Sequence, residues 1–194
     1  MNVGIYIYDN AEVLDFSGPF EVFSTAARVA KNPDLFRVYL IGETGATVVA
    51  RAGFKVLPDY SIHNHPVLDL LVVVGGVHTG EMEKDNVMAW LKQQHCRVSL
   101  TATVCTGIFL LAKATNLSNT TVTTHWEDIP DLRQQFPELD VQENIRWVDA
   151  GNLVSSSGIS AGIDMSLYLV ARLHSRDLAE RTARQMEYDW NNSR

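Results

Sequence analysis

Residues 98–114 read VSLTATVCTGIFLLAKA. A largely apolar run, rich in Val and Thr, leads into Cys105; Thr106 and Gly107 then pass at once into a second apolar run. The first run has the composition of a buried strand and the second that of a helix. Cys105 therefore sits at a strand-to-helix joint, close to backbone N–H groups that the first turn of the helix leaves unpaired. The positive end of the helix dipole stabilises a thiolate there, and a sharp turn would push the side chain out of the packed layers, as in a nucleophile elbow. A free cysteine is equally a small packing residue, and placement alone leaves both readings open.

The rest of the chain repeats the same alternation. Residues 2–8 predict a strand. Ser17 as N-cap and Pro19 in the first turn predict a helix over 18–31. LFRVYLIG (35–42) predicts a strand, and ATVVA (46–50) and FKVLP (54–58) a hairpin around 51–53. LDLLVVVGG (68–76) is a continuous apolar run closed by Gly75 and Gly76, the pattern of a strand buried on both faces of a parallel sheet. A polar helix over 82–94, a strand over 97–104 and a helix over 106–115 follow. TVTTHW (121–126) predicts a short strand or extended segment, 127–136 a helix, NLVSSSG (152–158) the last strand, and 161–174 and 177–189 two closing helices. Alternating strands and helices imply one α/β domain, residues 1–194, with a mostly parallel sheet. Ligands of such sheets bind at the carboxyl ends of the strands. The loop after the first strand, Gly75-Gly76 and Cys105 converge on that edge.

Composition narrows the function. The chain has 194 residues, 46 % hydrophobic and 20 % charged, and a formal net charge of −7. An acidic balance disfavours a nucleic-acid surface. No apolar run reaches the ~20 residues of a membrane span, and MNVGIYIYDN lacks the features of a signal peptide, so a cytoplasmic protein is expected. Cys96 and Cys105 suggest no disulfide framework, and no metal-ligand spacing such as C-x-x-C or H-E-x-x-H is present, so no metal is expected. Cys96, at a helix-to-strand connection on the opposite sheet edge, reads as structural.

His125 follows Cys105 by twenty residues. With LDFSGPFEVF (14–23), VVVGG (72–76), VCTGIFLLAKA (104–114), TVTTHW (121–126) and SSSGISAGIDMSLYLV (155–170), the chain resembles the ThiJ/PfpI superfamily, the class I glutamine amidotransferase-like fold, and within it the isonitrile hydratase branch. The order and spacing of these segments are specific; no single one is decisive. The resemblance implies a flavodoxin-like three-layer sandwich with the cysteine on an elbow, an acidic residue of the first loop facing the thiol and a threonine after it: Asp15, Cys105 and Thr106. It implies a small-molecule substrate, no cofactor and a homodimer.

Two activities of the superfamily are discounted from residues. Glutamine-hydrolysing members carry C-x-G-x-Q where this chain has CTGIF, and peptidase-like members place a histidine where Thr106 stands. Isonitrile hydration, which turns R–N≡C into an N-substituted formamide, suits what is present. Cys105 would attack the terminal carbon, and Asp15 would serve as general acid and then as the base for water. A carboxyl opposite a thiol in a pocket should have a raised pKa. Thr106 could hydrogen-bond substrate or water, and Gly75, Gly76 and the Thr106 N–H could hold developing negative charge. His125, Trp126 and Ile159 are candidates for substrate binding, the last two as an apolar wall.

Each residue also has a structural reading: Asp15 as a helix cap, Gly75-Gly76 as a tight turn, Thr106 as a helix start, and His125 as a structural histidine beside Trp126. Asp164, in the first turn of its helix, reads as structural. Where related chains often have a further glycine two positions after Gly76, this one has Val77-His78, and His78 could narrow the pocket. The main rival function is a ligand-sensing domain of AraC-regulator type, less expected because the chain stops at Arg194 without a basic extension. The other rival is glyoxalase or deglycase-type chemistry on reactive carbonyls, whose members usually carry a glutamate at the Asp15 position.

Overall fold

The computed structural model describes residues 1–191. In chain order these residues form β1 (Asn2–Tyr6), α1 (Val13–Val29), β2 (Arg37–Gly42), β3 (Val48–Val49), β4 (Lys55–Val56), β5 (Tyr60–Ser61), β6 (Leu70–Val73), α2 (Asp85–Arg97), β7 (Leu100–Val104), α3 (Gly107–Ala114) and β8 (Thr121–Val122). There follow α4 (Ile129–Gln135), β9 (Asp140–Val141), β10 (Trp147–Asp149), β11 (Leu153–Ser156), α5 (Ala161–Leu173) and α6 (Arg176–Gln185).

Seven strands form one sheet in the order β10-β11-β7-β6-β1-β2-β5. Only the β10–β11 pair is antiparallel. β6 and β7 lie at its centre, paired through Leu70↔Leu100 and Val73↔Thr103, and every residue of both is buried. The continuous apolar run predicted this, because a strand covered on both faces has no solvent side on which to alternate. α1, α5 and α6 pack together, α2 packs on α3, and the sheet lies between the two groups. The fold is the flavodoxin-like α/β sandwich. Among the described residues no helix is long and apolar enough to cross a membrane.

Several expected boundaries are corrected. α1 starts at Val13, five residues before the predicted Gly18. Pro19 is interior, and Ser17 is no cap: its hydroxyl donates to the Val13 carbonyl at 2.8 Å. Asp15 thus belongs to the first turn of a helix, where a carboxylate complements the dipole, and not to a loop. β10 was not predicted; it is a short antiparallel edge strand. TVTTHW holds, as expected, a short strand, Thr121–Val122, which pairs with β9 in a separate two-stranded sheet. The last helix ends at Gln185, short of residue 189.

The carboxyl edge is tied together across long sequence separations. Ala11 and Gly76 form an isolated antiparallel bridge, the Glu12 N–H donates to the Gly75 carbonyl at 2.9 Å, and the Val77 N–H donates to the Asn10 carbonyl at 3.1 Å. Gly76 has φ +140° and lies so close to Asn10 and Ala11 that a Cβ would fall 2.4 Å from the Asn10 carbonyl oxygen. A glycine is required there on both counts.

Candidate active site

Cys105 occupies the left-handed region at φ +54°, a conformation that costs an L residue about 1–3 kcal/mol and persists only where the surroundings impose it. They do so here. The Thr124 hydroxyl donates to the Cys105 carbonyl at 2.9 Å, and the Cys105 N–H donates to the Ser157 carbonyl at 3.3 Å. Gly107 lets α3 start hard against β6, since a Cβ there would fall 2.1 Å from the Val73 carbonyl oxygen. The result is a sharp strand-to-helix elbow, with the sulfur facing the backbone N–H groups of Thr106 and Ile159. Cys96, by contrast, is exposed in the last turn of α2, before β7 begins.

Asp15 reaches the same point from α1. Its side chain is fully buried, and Oδ2 accepts from the Gly75 N–H at 3.0 Å. Burial pushes its pKa up from 3.8 to about 7; Gly75 and the Cys105 thiol favour the ionised form without offsetting burial, and Glu12 opposes it. Burial also pushes the Cys105 thiol up to about 12, with Asp15 adding to the rise and the Thr106 and Ile159 N–H groups opposing it. The thiolate expected from the helix dipole is therefore not the resting form. Between about 7 and about 12 the pair holds a protonated thiol beside a carboxylate. Such a carboxylate can take the thiol proton as the sulfur attacks, and its pKa near neutrality suits acid and base roles alike.

The other sequence-derived roles divide. The Thr106 hydroxyl donates to the Gly76 carbonyl and accepts from the Gly76 N–H, both at 3.0 Å. It straps the β6 and β7 loops together and is engaged in doing so. The Gly75 and Gly76 N–H groups, offered as anion donors, are taken by Asp15 and by Thr106. The donors facing the sulfur are instead those of Thr106 and Ile159.

Ile159, at φ +49°, lines a cleft of about 410 Å³ over Cys105, together with Glu12, Arg51, His78, His125 and Asp128. Trp126 does not reach this cleft: it is 74 % exposed and borders a neighbouring groove. The wall beside Cys105 is thus more polar than expected. His125 directs Nδ1 to Asp128 at 3.3 Å, and its ring fills the space beside Gly158, where a Cβ would fall 2.1 Å from Cδ2. His78 is buried against Phe109, with ring centroids 4.4 Å apart; burial lowers its pKa and favours the neutral imidazole. Residues 125–127 are His-Trp-Glu, so a missing H-x-E is no ground against glutamine hydrolysis. The C-x-G-x-Q glutamine is nonetheless replaced by Phe109, which is fully buried.

Asp164 is buried and pairs with Arg146, away from the cleft, as its structural reading requires. Glu12 and Arg51, 3.6 Å apart at the rim, were not singled out from the sequence, and neither was Tyr8. Among the described residues no group of three or more His, Cys, Asp or Glu side chains is arranged to hold a metal ion.

Comparison with known proteins agrees with this fold. The DJ-1/PfpI family model matches residues 1–172. The isonitrile hydratase of Pseudomonas putida is 30 % identical over 97 % of this chain and 78 % of its own. The HTH-type transcriptional regulator GbdR of Pseudomonas aeruginosa is 26 % identical over 97 % of this chain, which spans only 51 % of the regulator. Among solved structures, a ThiJ/PfpI family protein from Pseudomonas syringae superposes with a TM-score of 0.86 at 23 % identity, covering 98 % of this chain and 76 % of that one. Drosophila melanogaster DJ-1beta superposes with a TM-score of 0.82 at 20 % identity, covering 97 % and 98 %.

Proposed function

The chain belongs to the DJ-1/PfpI family, and we propose that it uses the Cys105–Asp15 pair to add water to an isonitrile. The observation that carries this reading is a buried carboxyl with a pKa of about 7 facing a protonated thiol on a strained elbow. An isonitrile carbon must gain both a nucleophile and a proton, and this pair supplies one of each.

Asp15 takes the Cys105 proton while sulfur bonds to the terminal carbon of R–N≡C, and returns that proton to the same carbon, giving the thioimidate Cys–S–CH=N–R. Water then adds to this carbon. One of its protons reaches nitrogen, the C–S bond breaks, and the other proton returns to sulfur, releasing R–NH–CHO. The Thr106 and Ile159 N–H groups stabilise the sulfur while it carries charge. The similarity to the hydratase of Pseudomonas putida supports the substrate class.

The test is incubation with cyclohexyl isocyanide and detection of the N-formamide by mass spectrometry, with Cys105→Ala alongside. Formamide from the wild type alone supports the reading; none from either protein removes it. A second reading, a ligand-sensing domain, is favoured by the regulator relative, of which this chain spans about half. It expects tight binding of a small molecule in the Cys105 cleft without turnover, which calorimetry on the same two proteins would detect. Methylglyoxal converted to lactate would instead point to carbonyl chemistry.

A further inference from the structure

Asp15 is anchored on one side only. Oδ2 accepts from Gly75, while Oδ1 is enclosed and has no hydrogen-bond partner among the described residues. The Tyr8 hydroxyl is in the same condition: the residue is 3 % exposed, and its Oη has no partner among the described residues. Buried hydroxyls and carboxylates are nearly always hydrogen-bonded in folded proteins. Here a buried donor and a buried acceptor both stand unused near the carboxyl edge of the sheet.

The backbone brings them together. Tyr8 follows the end of β1 at the carboxyl edge of the sheet, and the chain then turns tightly into α1, with the Ala11 N–H donating to the Tyr8 carbonyl at 3.0 Å and the Asp15 N–H to the Glu12 carbonyl at 3.1 Å. The Tyr8 ring is fixed by stacking on Tyr6, with centroids 6.1 Å apart. After burial, Asp15 is the charge that most disfavours ionisation of Tyr8, ahead of Glu81 and Cys105. Tyr8 is therefore a neutral phenol whose O–H can only gain by meeting the carboxylate.

We propose that Tyr8 is a positioning residue of the Cys105–Asp15 pair: its O–H is linked to Asp15 Oδ1 through one bridging water, and this link holds the carboxylate ionised and turned toward the thiol. The catalytic meaning of this role rests on the hydration reading; the role itself can be tested without an isonitrile.

The experiment is the pH dependence of Cys105 alkylation by iodoacetamide, read on the Cys105 peptide by mass spectrometry so that exposed Cys96 does not contribute. In the wild type the rate rises with pH as Asp15 ionises and becomes the acceptor for the thiol proton. A donor to a carboxylate favours its charged form. Tyr8→Phe should therefore move the midpoint up by roughly 0.5–1 pH unit and slow alkylation on its acid side by about three- to tenfold. Tyr6→Phe removes a hydroxyl of the same strand that donates to Glu81 and should leave the midpoint in place. An unmoved midpoint in folded Tyr8→Phe, or an equal shift in Tyr6→Phe, overturns the proposal. Should Tyr8→Phe fail to fold, 3-fluorotyrosine incorporated in place of tyrosine makes each phenol a stronger donor; the midpoint must then move down, and an upward or absent shift overturns it. Loss of formamide production with the midpoint shift intact would remove the hydration reading and leave the role of Tyr8 standing.

Discussion

Asp15 and Cys105 meet across Gly75: a Cβ built there would lie 2.8 Å from Asp15 Oδ2 and 2.8 Å from the Cys105 Cβ. It would also lie 2.6 Å from the Thr106 backbone nitrogen. The closest of these obstacles is backbone and cannot swing aside. Gly75→Ala should therefore separate carboxyl from thiol, lowering formamide production by at least about a hundredfold, since about that much rests on a positioned acid–base group. The overpacking should also lower stability by about 1–3 kcal/mol. Turnover and urea unfolding on the same protein check both effects.

Asp15 places function against stability. Its pKa rises from 3.8 to about 7 on folding. Below about 4 the carboxyl is protonated in both states and has no such effect. Between about 4 and 7 the unfolded chain ionises while the folded one resists, so stability falls with rising pH and levels off above about 7. At about 1.4 kcal/mol per tenfold change in proton affinity, the loss is on the order of 4 kcal/mol. Asp15→Asn should thus abolish turnover and yet raise the melting temperature at pH 8, with little change at pH 4. Thermal melts at the two pH values read the sign directly, and a variant less stable at pH 8 than at pH 4 relative to wild type would contradict it.

Much of this site was legible because strand edges in a parallel sheet are predictable from apolar runs. The run before Cys105 and the run ending at Gly75-Gly76 placed both at the carboxyl edge, and the motif around Asp15 added the carboxyl. The hydrogen bonds were not legible, because their partners are far apart in the chain: Gly75 with Asp15, sixty residues away, and Gly76 with Thr106, thirty away. Those pairings decide which N–H groups are already used. The start of α1 misled for a local reason. Ser17 and Pro19 are common start signals, but the Ser17 hydroxyl bonds back within the helix. Tyr8 escaped notice because it read as one more β-favouring residue of a strand that in fact ends at Tyr6.

Thr106 is held through its hydroxyl more than it is offered to substrate. Thr106→Ser keeps the oxygen that serves both the Gly76 N–H and the Gly76 carbonyl. Thr106→Val keeps the shape and loses both bonds. Leaving such groups unpaired costs about 1–3 kcal/mol. The valine variant should unfold earlier in urea by about that amount, and the serine variant within about 0.5 kcal/mol of wild type. Equal stability of the two would place the importance of Thr106 in its methyl group.

His125 tests whether the cleft wall is chemical or structural. Its Nδ1 points to Asp128, its ring occupies the space a Gly158 side chain would need, and the thiol already has Asp15 as a proton acceptor. A wall role predicts that His125→Ala retains turnover within about tenfold, far from the loss expected of a general base. It also predicts strong coupling. Gly158→Ala alone should destabilise by about 1–3 kcal/mol, because the new methyl and the imidazole compete for one volume. In the His125→Ala background the same substitution should cost less than about 0.5 kcal/mol, because the competing ring is gone. The double-mutant cycle separates the roles: additive losses would mean the two residues do not share that space, and a collapse of turnover in His125→Ala would make the imidazole a participant in the chemistry.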